Sequence, residues 1–435
     1  MKTLLARAKG SPLTIIASHT DPIGTVLQLP PHTKQITALD FSDNLWEDIQ
    51  RFSEINSGPL PLLRTLNINA IQGIDPDGPL FNGAVDLTVF RLHSARSLSL
   101  SHFVFPNLTS FDLAIAEELF RGSQLLDFLE ASPMLQAVRM KIIGPISLQG
   151  IPQERVVVLH RVESFCLAAR DGSPGYELAA HVSCPSAKHT SLTHIHEKEY
   201  YFNTPQENFP ASASWKAIIS QYTRTPIEEI VFETKADSDY FIVSSLTFRS
   251  ADTTTIRLRS EVSEENDDSE TSLWRRSFTG VYHHVLSEAS RTIRDLPLLA
   301  NVKRVHMCGP LDLGQGWIES IATEIGELFK SLGPLEELTI SHCDIRPYTY
   351  PFPHFRETPG LNGLIVYPPI GVLTISHPSN MLNEDVTTGL VKLARVQHEL
   401  GVPFERVAVR VNGPPEDMEE RLRPWVGAAD CCSVS

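Results

Sequence analysis

The chain has 435 residues, of which 42% are hydrophobic and 20% charged, and its formal net charge is −15. A chain of this length can bury a large core, and its acidic balance argues against a nonspecific nucleic-acid binder, which needs a basic face. No apolar run is long enough to span a membrane, and basic residues interrupt the apolar start, so we expect neither a membrane span nor a secretory signal.

A short phrase recurs along the chain: an apolar residue, two variable residues, an apolar residue, one variable residue, and an apolar residue. The clearest copy is Leu335, Leu338 and Ile340, followed by Cys343 at a position where leucine-rich repeats carry Asn or Cys. Each copy predicts a short strand. In chain order the copies begin at Ile36, Leu63, Ala95, Leu108, Leu135, Val162, Ile227, Val302, Leu335 and Leu361, with a weaker copy at Thr255.

Proline accompanies six of these copies, one or two residues before the first apolar position. With 31 prolines in the chain, chance would place one in such a window roughly 14% of the time. Because a helix cannot continue through proline, and the residue before it favours extended backbone, we expect each proline to end a helix and start a strand. The six are Pro61, Pro106, Pro133, Pro226, Pro334 and Pro359.

Amphipathic segments predict a helix before several copies. The best one covers residues 317–332, where six apolar side chains share one face, Gly333 forms the cap and Pro334 stops the helix. Residues 386–400 predict a helix before a strand at 407–411. The other predicted helices cover residues 45–55, 125–131, 215–222 and 281–293.

This order of elements predicts an α/β fold, namely an irregular leucine-rich-repeat solenoid. The solenoid would be right-handed, with parallel strands on the concave face and helices and loops on the convex face. The spacing of the copies is irregular, since the centres Leu66, Leu98, Phe111 and Val138 lie 32, 13 and 27 residues apart. An ordinary α/β domain with apolar strands is the competing interpretation.

Three regions are expected along the chain: an N-terminal cap or linker at residues 1–30, the solenoid at 31–412 and a C-terminal tail at 413–435. Within the solenoid, residues 261–270 contain six acidic residues in ten. Like charges repel and cannot be buried together, so we expect a disordered acidic loop at 260–272.

The sequence contains no recognisable catalytic motif, so we expect no enzyme, no catalytic residue, no metal and no cofactor. It lacks the phosphate-binding glycine loop, the serine nucleophile elbow and the zinc motif H-E-x-x-H. His194 and His196 are the nearest metal signal, because alternate residues of a strand share a face, but no third or fourth ligand cluster accompanies them. A metal-assisted enzyme at these histidines is the alternative that we weight least. The six cysteines show no disulfide spacing and are expected to be free thiols in a reducing compartment, cytoplasmic or nuclear.

The start of the chain resembles mushroom-type fungal F-box-like proteins with leucine-rich repeats. Residues 4–15 (LLARAKGSPLTI) match a helix of the type L-x-R-[AS]-x-x-x-P-L that follows the F-box, and the copies at 36–41 and 61–68 match the opening repeats. The resemblance implies a receptor that captures a substrate with its repeats and reaches a cullin ubiquitin ligase through a Skp-type adaptor. The F-box itself is missing from the chain, so the adaptor is expected as a partner only if an F-box lies upstream of Met1. An orphan repeat protein without ligase recruitment is the alternative.

In each copy the apolar residues point to the core and alternate positions project outward, so the outward positions are the candidate surface for an unknown protein partner. They are mixed in charge, which suits a protein better than a nucleic acid or a membrane, and we expect a monomer. The candidates are Asp40, Asn67, Asp112, Arg139, Lys141, His306, Thr339 and Ser341.

Overall fold

Alternating apolar residues build eight parallel strands in the first part of the chain. In order of pairing they are β1 (Leu13–Ser18), β2 (Ile36–Leu45), β3 (Thr65–Gln72), β4 (Val89–Ser94), β5 (Ser110–Ile115), β7 (Ala137–Ile142), β10 (Ser164–Arg170) and β12 (His189–His196). Two short parallel pairs join β6 (Phe120–Arg121) to β8 (Ile146–Ser147) and β9 (Val157–Val158) to β11 (Val182–Ser183).

The fold is that of a computed structural model, and its contacts divide the chain into two compact units. Unit 1 is Met1–Ile195 and unit 2 is His196–Ser435. The sequence, in contrast, predicts one continuous solenoid from residue 31 to residue 412, with no boundary between units. The structure describes residues 11–18, 34–45, 49, 60–72, 80–81, 84–94, 100–115, 120–170, 175–196, 226–238, 241–251, 255–263, 283, 286–287, 299, 301–309, 315–344, 346–349, 368–377, 384–411 and 417–433.

The middle apolar residue of each phrase pairs in register with the middle residue of the next strand in unit 1. Leu39, Leu66, Phe90, Phe111 and Val138 form one such row, and they lie 27, 24, 21 and 27 residues apart along the chain. All five are buried. The register therefore places equivalent apolar positions side by side in one core layer.

Three prolines that precede the phrases of unit 1, Pro61, Pro106 and Pro133, each hold the second position of a tight turn, and Pro133 also follows a helix that ends at Glu130, as the sequence predicts. In residues 105–108 the amide of Leu108 donates to the carbonyl of Phe105 at 3.1 Å, and Pro106 is the second residue of that turn. The same i+3 bond closes the turns 60–63, 132–135, 159–162 and 184–187. Proline favours the second turn position because its ring presets the required φ angle. Its association with the phrase therefore comes from the turn before each strand.

One predicted copy of unit 1 differs from the strand that the structure describes nearby. Residues 95–99 of the copy beginning at Ala95 lie outside the described residues, and its last residue, Leu100, begins a 3-10 helix at Leu100–His102. The described strand before it is β4, whose phrase is Leu87, Phe90 and Leu92. This earlier segment fits the same apolar pattern, and it pairs with the neighbouring strands β3 and β5.

Two helices of unit 1 pack against the sheet: α1 (Gly122–Glu130) and α2 (Gly175–Ala180). The helix predicted at 125–131 is confirmed by α1. Its buried Phe128 joins a cluster of phenylalanine rings around Phe90, whose centroid lies 4.9 Å from that of Phe103 and 5.2 Å from that of Phe105. An aromatic cluster thus forms part of the core on this side of the sheet.

Unit 2 begins with three antiparallel strands and continues with parallel ones. In chain order the strands are β13 (Ile227–Ser238), β14 (Phe241–Ser250), β15 (Thr255–Ser263), β16 (Arg304–Cys308), β17 (Leu335–Ser341), β18 (Ile370–His377), β19 (Arg406–Val411) and β20 (Ala428–Ser433). β13 pairs antiparallel with β14 and parallel with β16, from which the parallel order continues to β20. The helices are α3 (Gln315–Lys330), α4 (Arg346–Thr349), α5 (Glu384–Glu399) and α6 (Met418–Leu422).

The best helix and strand predictions of unit 2 agree with the structure. The helix at 317–332 corresponds to α3, the helix at 386–400 to α5, and the strand at 407–411 to β19. The helices predicted at 45–55, 215–222 and 281–293, and the copy at Leu361, lie mostly or wholly outside the described residues.

Three predictions for unit 2 need correction. The weak copy at Thr255 is a strand, but β15 is antiparallel to its neighbour β14, because only a few residues separate the two strands. Residues 260–263 of the acidic loop expected at 260–272 belong to β15, and residues 264–272 lie outside the described residues. Residues 413–435 are more than a tail: α6 and β20 lie there, and β20 pairs with β19 in register.

Gly427 permits the last strand, β20, to approach the segment before β19 closely. The amide of Gly427 donates to the carbonyl of Phe404 at 2.9 Å, and a Cβ at Gly427 would lie 2.6 Å from the carbonyl oxygen of Glu405. Any side chain there would push β20 away from β19.

The chain is therefore a mixed α/β protein dominated by parallel strands, as the sequence predicts at this coarser level. Among the residues that the structure describes, no helix is long and apolar enough to cross a membrane.

Candidate functional site

The half-exposed side chains of the unit 1 strands form a polar surface on the side of the sheet away from the apolar row. We call it the polar face of unit 1 and define it by Asp40, Asn67, Arg91, Asp112, Arg139 and Lys141. The first five are register partners on adjacent strands, from β2 to β7. Four of the predicted surface residues thus lie side by side in one row, and Lys141 lies one step further along β7.

Arg91 is the residue of this row that the sequence reasoning missed. It was overlooked because the strand was placed at Ala95, one segment too late. The signal was present in the phrase Leu87, Phe90 and Leu92, whose outward position is Arg91.

Two polar contacts hold part of this row. The amide nitrogen Nδ2 of Asn67 donates to Oδ2 of Asp40 at 3.1 Å. The ring nitrogen Nε2 of His93 lies 3.7 Å from Oδ1 of Asp112. The carbonyl Oδ1 of Asn67 is buried and has no hydrogen-bond partner in the described part of the chain. The carboxylate of Asp40 therefore accepts a hydrogen bond, while Oδ1 of Asn67 has no described partner.

The three strong cations of the polar face of unit 1 differ from the carboxylates. Arg91, Arg139 and Lys141 are exposed, and none has an ion-pair or hydrogen-bond partner among the residues that the structure describes. Neighbouring strands lie about 4.8 Å apart, so Arg91 and Arg139, with only β5 between them, start from backbones about 10 Å apart. The row thus presents two free guanidinium groups on either side of Asp112.

The remaining predicted residues lie in unit 2. His306 and Thr339 are register partners on β16 and β17, and Ser341 is the next outward residue of β17. Nε2 of His306 lies 2.6 Å from Oγ of Ser341, and the hydroxyl of Thr339 donates to Oε1 of Glu337 at 2.9 Å. We call this second surface, His306, Thr339, Ser341 and Glu337, the polar face of unit 2.

Carboxylates surround His306, but burial dominates its titration. Loss of solvent on partial burial lowers the pKa of His306 below its usual value, while the nearby Glu229, Glu233 and Glu337 act in the opposite direction. A buried imidazole disfavours its charged form because the protein replaces its hydration poorly. In the neutral ring that results, Nε2 either donates to the hydroxyl of Ser341 or accepts from it, according to the tautomer.

Several arginines of unit 2 have carboxylate partners, in contrast to Arg91 and Arg139. Arg249 lies 3.0 Å from Glu229, Arg257 lies 3.4 Å from Glu233, and Arg406 lies 2.6 Å from Asp430. The charged groups of this region largely satisfy one another.

Among the described residues of the two units, no group of three or more His, Cys, Asp or Glu side chains could hold a metal ion. The backbones of His194 and His196 belong to β12, but their side chains are outside the described part, so the zinc alternative stays a prediction.

None of the described cysteines forms a disulfide. Burial raises the pKa of Cys184 to about 12 and that of Cys431 to about 11, and the carboxylate of Asp430 raises the pKa of Cys432. A thiol with a raised pKa carries little thiolate at neutral pH and is a poor nucleophile.

The sequence matches no protein-family model and no functionally curated protein. The function is therefore argued from the two polar faces themselves.

Proposed function

We propose that this chain is a non-enzymatic, protein-binding scaffold of the leucine-rich-repeat type, in which the polar faces of the two units capture a protein partner. The observation that carries the proposal is the row of Asp40, Asn67, Arg91, Asp112 and Arg139, five partly exposed side chains of different chemistry on adjacent parallel strands. Such a row is a rigid, extended surface, because each backbone position is fixed by hydrogen bonds to the next strand.

Two features of unit 1 support the repeat-type fold. The steps of 21 to 27 residues between register partners lie within the usual range of about 20–29 residues for leucine-rich repeats. The turn before each strand also recurs, as the i+3 bonds of residues 60–63, 105–108 and 132–135 illustrate. Crossovers between parallel strands are right-handed in nearly all proteins, so we propose a right-handed solenoid whose strands line the concave side.

Together with the resemblance to fungal F-box-like proteins, the polar faces support a more specific role: the substrate-recognition part of a ubiquitin-ligase receptor. The scaffold would act as a monomer in the cytoplasm or nucleus, where its free cysteines stay reduced. We propose recruitment of a Skp-type adaptor only for a form of the protein that carries an F-box. A form without an F-box would bind its partner and recruit no ligase.

The test blocks each face with a bulky side chain. Ala114 of β5 and Thr374 of β18 are half-buried outward positions, so Ala114→Trp and Thr374→Trp obstruct the polar faces of unit 1 and unit 2 without removing a polar contact described for either residue. Val104 is 57% exposed and lies outside the strands, so Val104→Trp is the matched control. Proteins captured by the wild-type chain from a cell lysate are compared with those captured by each variant, using quantitative mass spectrometry.

We expect at least one protein to be captured by the wild type and by Val104→Trp and to be lost with Ala114→Trp or Thr374→Trp. Equal capture by all four chains would overturn the proposal that the polar faces bind the partner. The ligase part is tested separately: a Skp-type adaptor should bind only an upstream-extended form that contains an F-box, and its failure to bind such a form would remove that part alone.

A further inference from the structure

We infer that the polar face of unit 1 binds an acidic segment of its protein partner, with two carboxylate side chains held by Arg91 and Arg139. The inference rests on the proposed function and adds the chemistry of the partner. Guanidinium groups bind carboxylates through parallel N–H donors, and this pairing is strongest when the guanidinium has no competing partner.

The unpaired cations of the polar face of unit 1 lie close together on its strands. Arg91, Arg139 and Lys141 have no carboxylate partner in the described part of the chain, although the protein has an excess of acidic residues. Lys34, Arg121 and Arg161 of unit 1 are also exposed and without such a partner in that part, but they lie outside the strands that form this face. The polar face of unit 1 therefore brings three unpaired cations together in a chain whose net charge is −15.

Asp112 sets the spacing of the groups that fit this face. Its carboxylate lies on the strand between Arg91 and Arg139 and would repel a carboxylate placed directly above it. The face therefore fits two acidic side chains about 10 Å apart with a neutral residue or a donor between them. A segment in polyproline II geometry has three residues per turn and advances about 3.1 Å per residue, so acids three positions apart lie on one side of it, about 9 Å apart, and meet this requirement.

The same charges disfavour a nucleic acid as the occupant. A polyanion would bring phosphates over Asp40 and Asp112 as well as over the cations, and it would approach a protein whose overall charge repels it. A short acidic segment avoids both costs, because it places its charges only where the arginines are.

The experiment measures binding of short fluorescein-labelled peptides to the full chain by fluorescence anisotropy. The peptides consist of Gly, Ser and Asn and carry two glutamates three positions apart, two adjacent glutamates, or two lysines three positions apart. A single-stranded oligonucleotide of similar length tests the nucleic-acid alternative. The binding variant is Arg91→Gln with Arg139→Gln. The matched control is Arg161→Gln with Lys392→Gln, which removes two exposed cations from outside the polar faces and changes the net charge equally.

We expect the spaced glutamate peptide to bind the wild type more tightly than the adjacent-glutamate and lysine peptides. The Arg91 and Arg139 substitutions should weaken this binding about tenfold or more, because they remove the charge-assisted hydrogen bonds to both carboxylates of the peptide. The control pair should leave it within about twofold, the range for exposed charges acting at a distance.

Position is checked with a carbodiimide, which activates a peptide carboxylate so that a nearby lysine amine forms an amide with it. Cross-links should concentrate on Lys141, beside Arg139, rather than on Lys392 of α5. Absence of measurable binding by the spaced glutamate peptide, equal weakening by both variant pairs, or tighter binding of the oligonucleotide would each overturn the inference. Partner capture that Ala114→Trp abolishes, without acidic-peptide binding, would leave the proposed function standing and refute only the acidic chemistry.

Discussion

His306 and Ser341 touch across two neighbouring parallel strands, with Nε2 of the imidazole 2.6 Å from the serine hydroxyl oxygen. Because burial lowers the pKa of His306, the ring is neutral in the folded protein under conditions in which an unfolded histidine begins to take up protons. This contact therefore links the stability of unit 2 to pH.

The sign of that link follows from proton uptake. The unfolded histidine titrates near 6.5, while the folded one titrates lower, so the unfolded state binds more protons between these two values. The contribution of His306 to stability is complete above pH 6.5 and is lost as the pH falls from there toward the folded pKa. We expect His306→Gln to reduce the drop in the free energy of unfolding between about pH 7.5 and about pH 5.5, measured by urea denaturation. His189→Gln, at an exposed position of β12, is the control and should show the same drop in the free energy of unfolding as the wild type. If His306→Gln also shows the wild-type drop, His306 does not link stability to pH.

The aromatic core of unit 1 should be sensitive to truncation at Phe90. This ring is fully buried and packs against Phe103, Phe105, Phe111 and Phe128. Phe90→Ala should reduce the free energy of unfolding by about 3–5 kcal/mol, because it removes apolar contacts and leaves a cavity. Chemical denaturation followed by circular dichroism measures the change. Val104→Ala, an exposed site in the same region, should change stability by less than about 0.5 kcal/mol.

The recurring turn predicts opposite effects of proline at two adjacent positions. In residues 159–162, His160 occupies the second turn position, where Pro106 and Pro133 stand in the equivalent turns. His160→Pro should stabilise the protein by about 0.4–1 kcal/mol, since it restricts the unfolded chain without disturbing the turn.

Arg161→Pro is the matched contrast in the same turn, because proline at the third position forces the preceding residue out of its turn conformation. We expect a lower melting temperature for Arg161→Pro and an equal or higher one for His160→Pro. Equal destabilisation by both would show that residues 159–162 do not form the turn described.

The exposed thiol of Cys432 should respond to its neighbour Asp430. The thiol donates to Oδ1 of Asp430 at 2.9 Å, and this bond, together with the negative charge, raises the pKa of Cys432. Asp430→Asn should lower that pKa and speed alkylation by iodoacetamide near neutral pH, because the thiolate is the reacting form.

Mass spectrometry at Cys432 measures the rate. Asp417→Asn, an acidic residue of unit 2 that does not contact Cys432, is the control and should leave the rate unchanged. A rate that is the same in Asp430→Asn and in the wild type would show that this hydrogen bond does not control the thiol.

Several elements could be predicted because their signal is local. The apolar spacing of residues 317–332 indicates a helix with one buried face, and α3 occupies nearly the same residues. The phrase Leu335, Leu338 and Ile340 indicates a strand with alternate residues buried, and β17 has that pattern. In both cases the chain's own periodicity decides the outcome.

Other elements could not be predicted because the signal was ambiguous. The phrases at Leu87 and Ala95 fit the same apolar pattern, and only pairing with β3 and β5 distinguishes them. Period-two alternation is the same in both directions, so the antiparallel pairing of β15 with β14 was not visible either. Of the candidate surface, Asp40, Asn67, Asp112 and Arg139 were found from alternation alone, whereas Arg91 was lost with its strand.

The sequence by itself determined the class of the protein: α/β, with apolar phrases that become buried strands and a proline before many of them. This follows because burial and turn preference act over a few neighbouring residues. The tertiary structure alone decided which strands pair, and hence that Arg91 and Arg139 flank Asp112 while remaining unpaired. Those residues are up to 48 positions apart in the chain, and their proximity depends on strand register, which is set by the packing of the whole core.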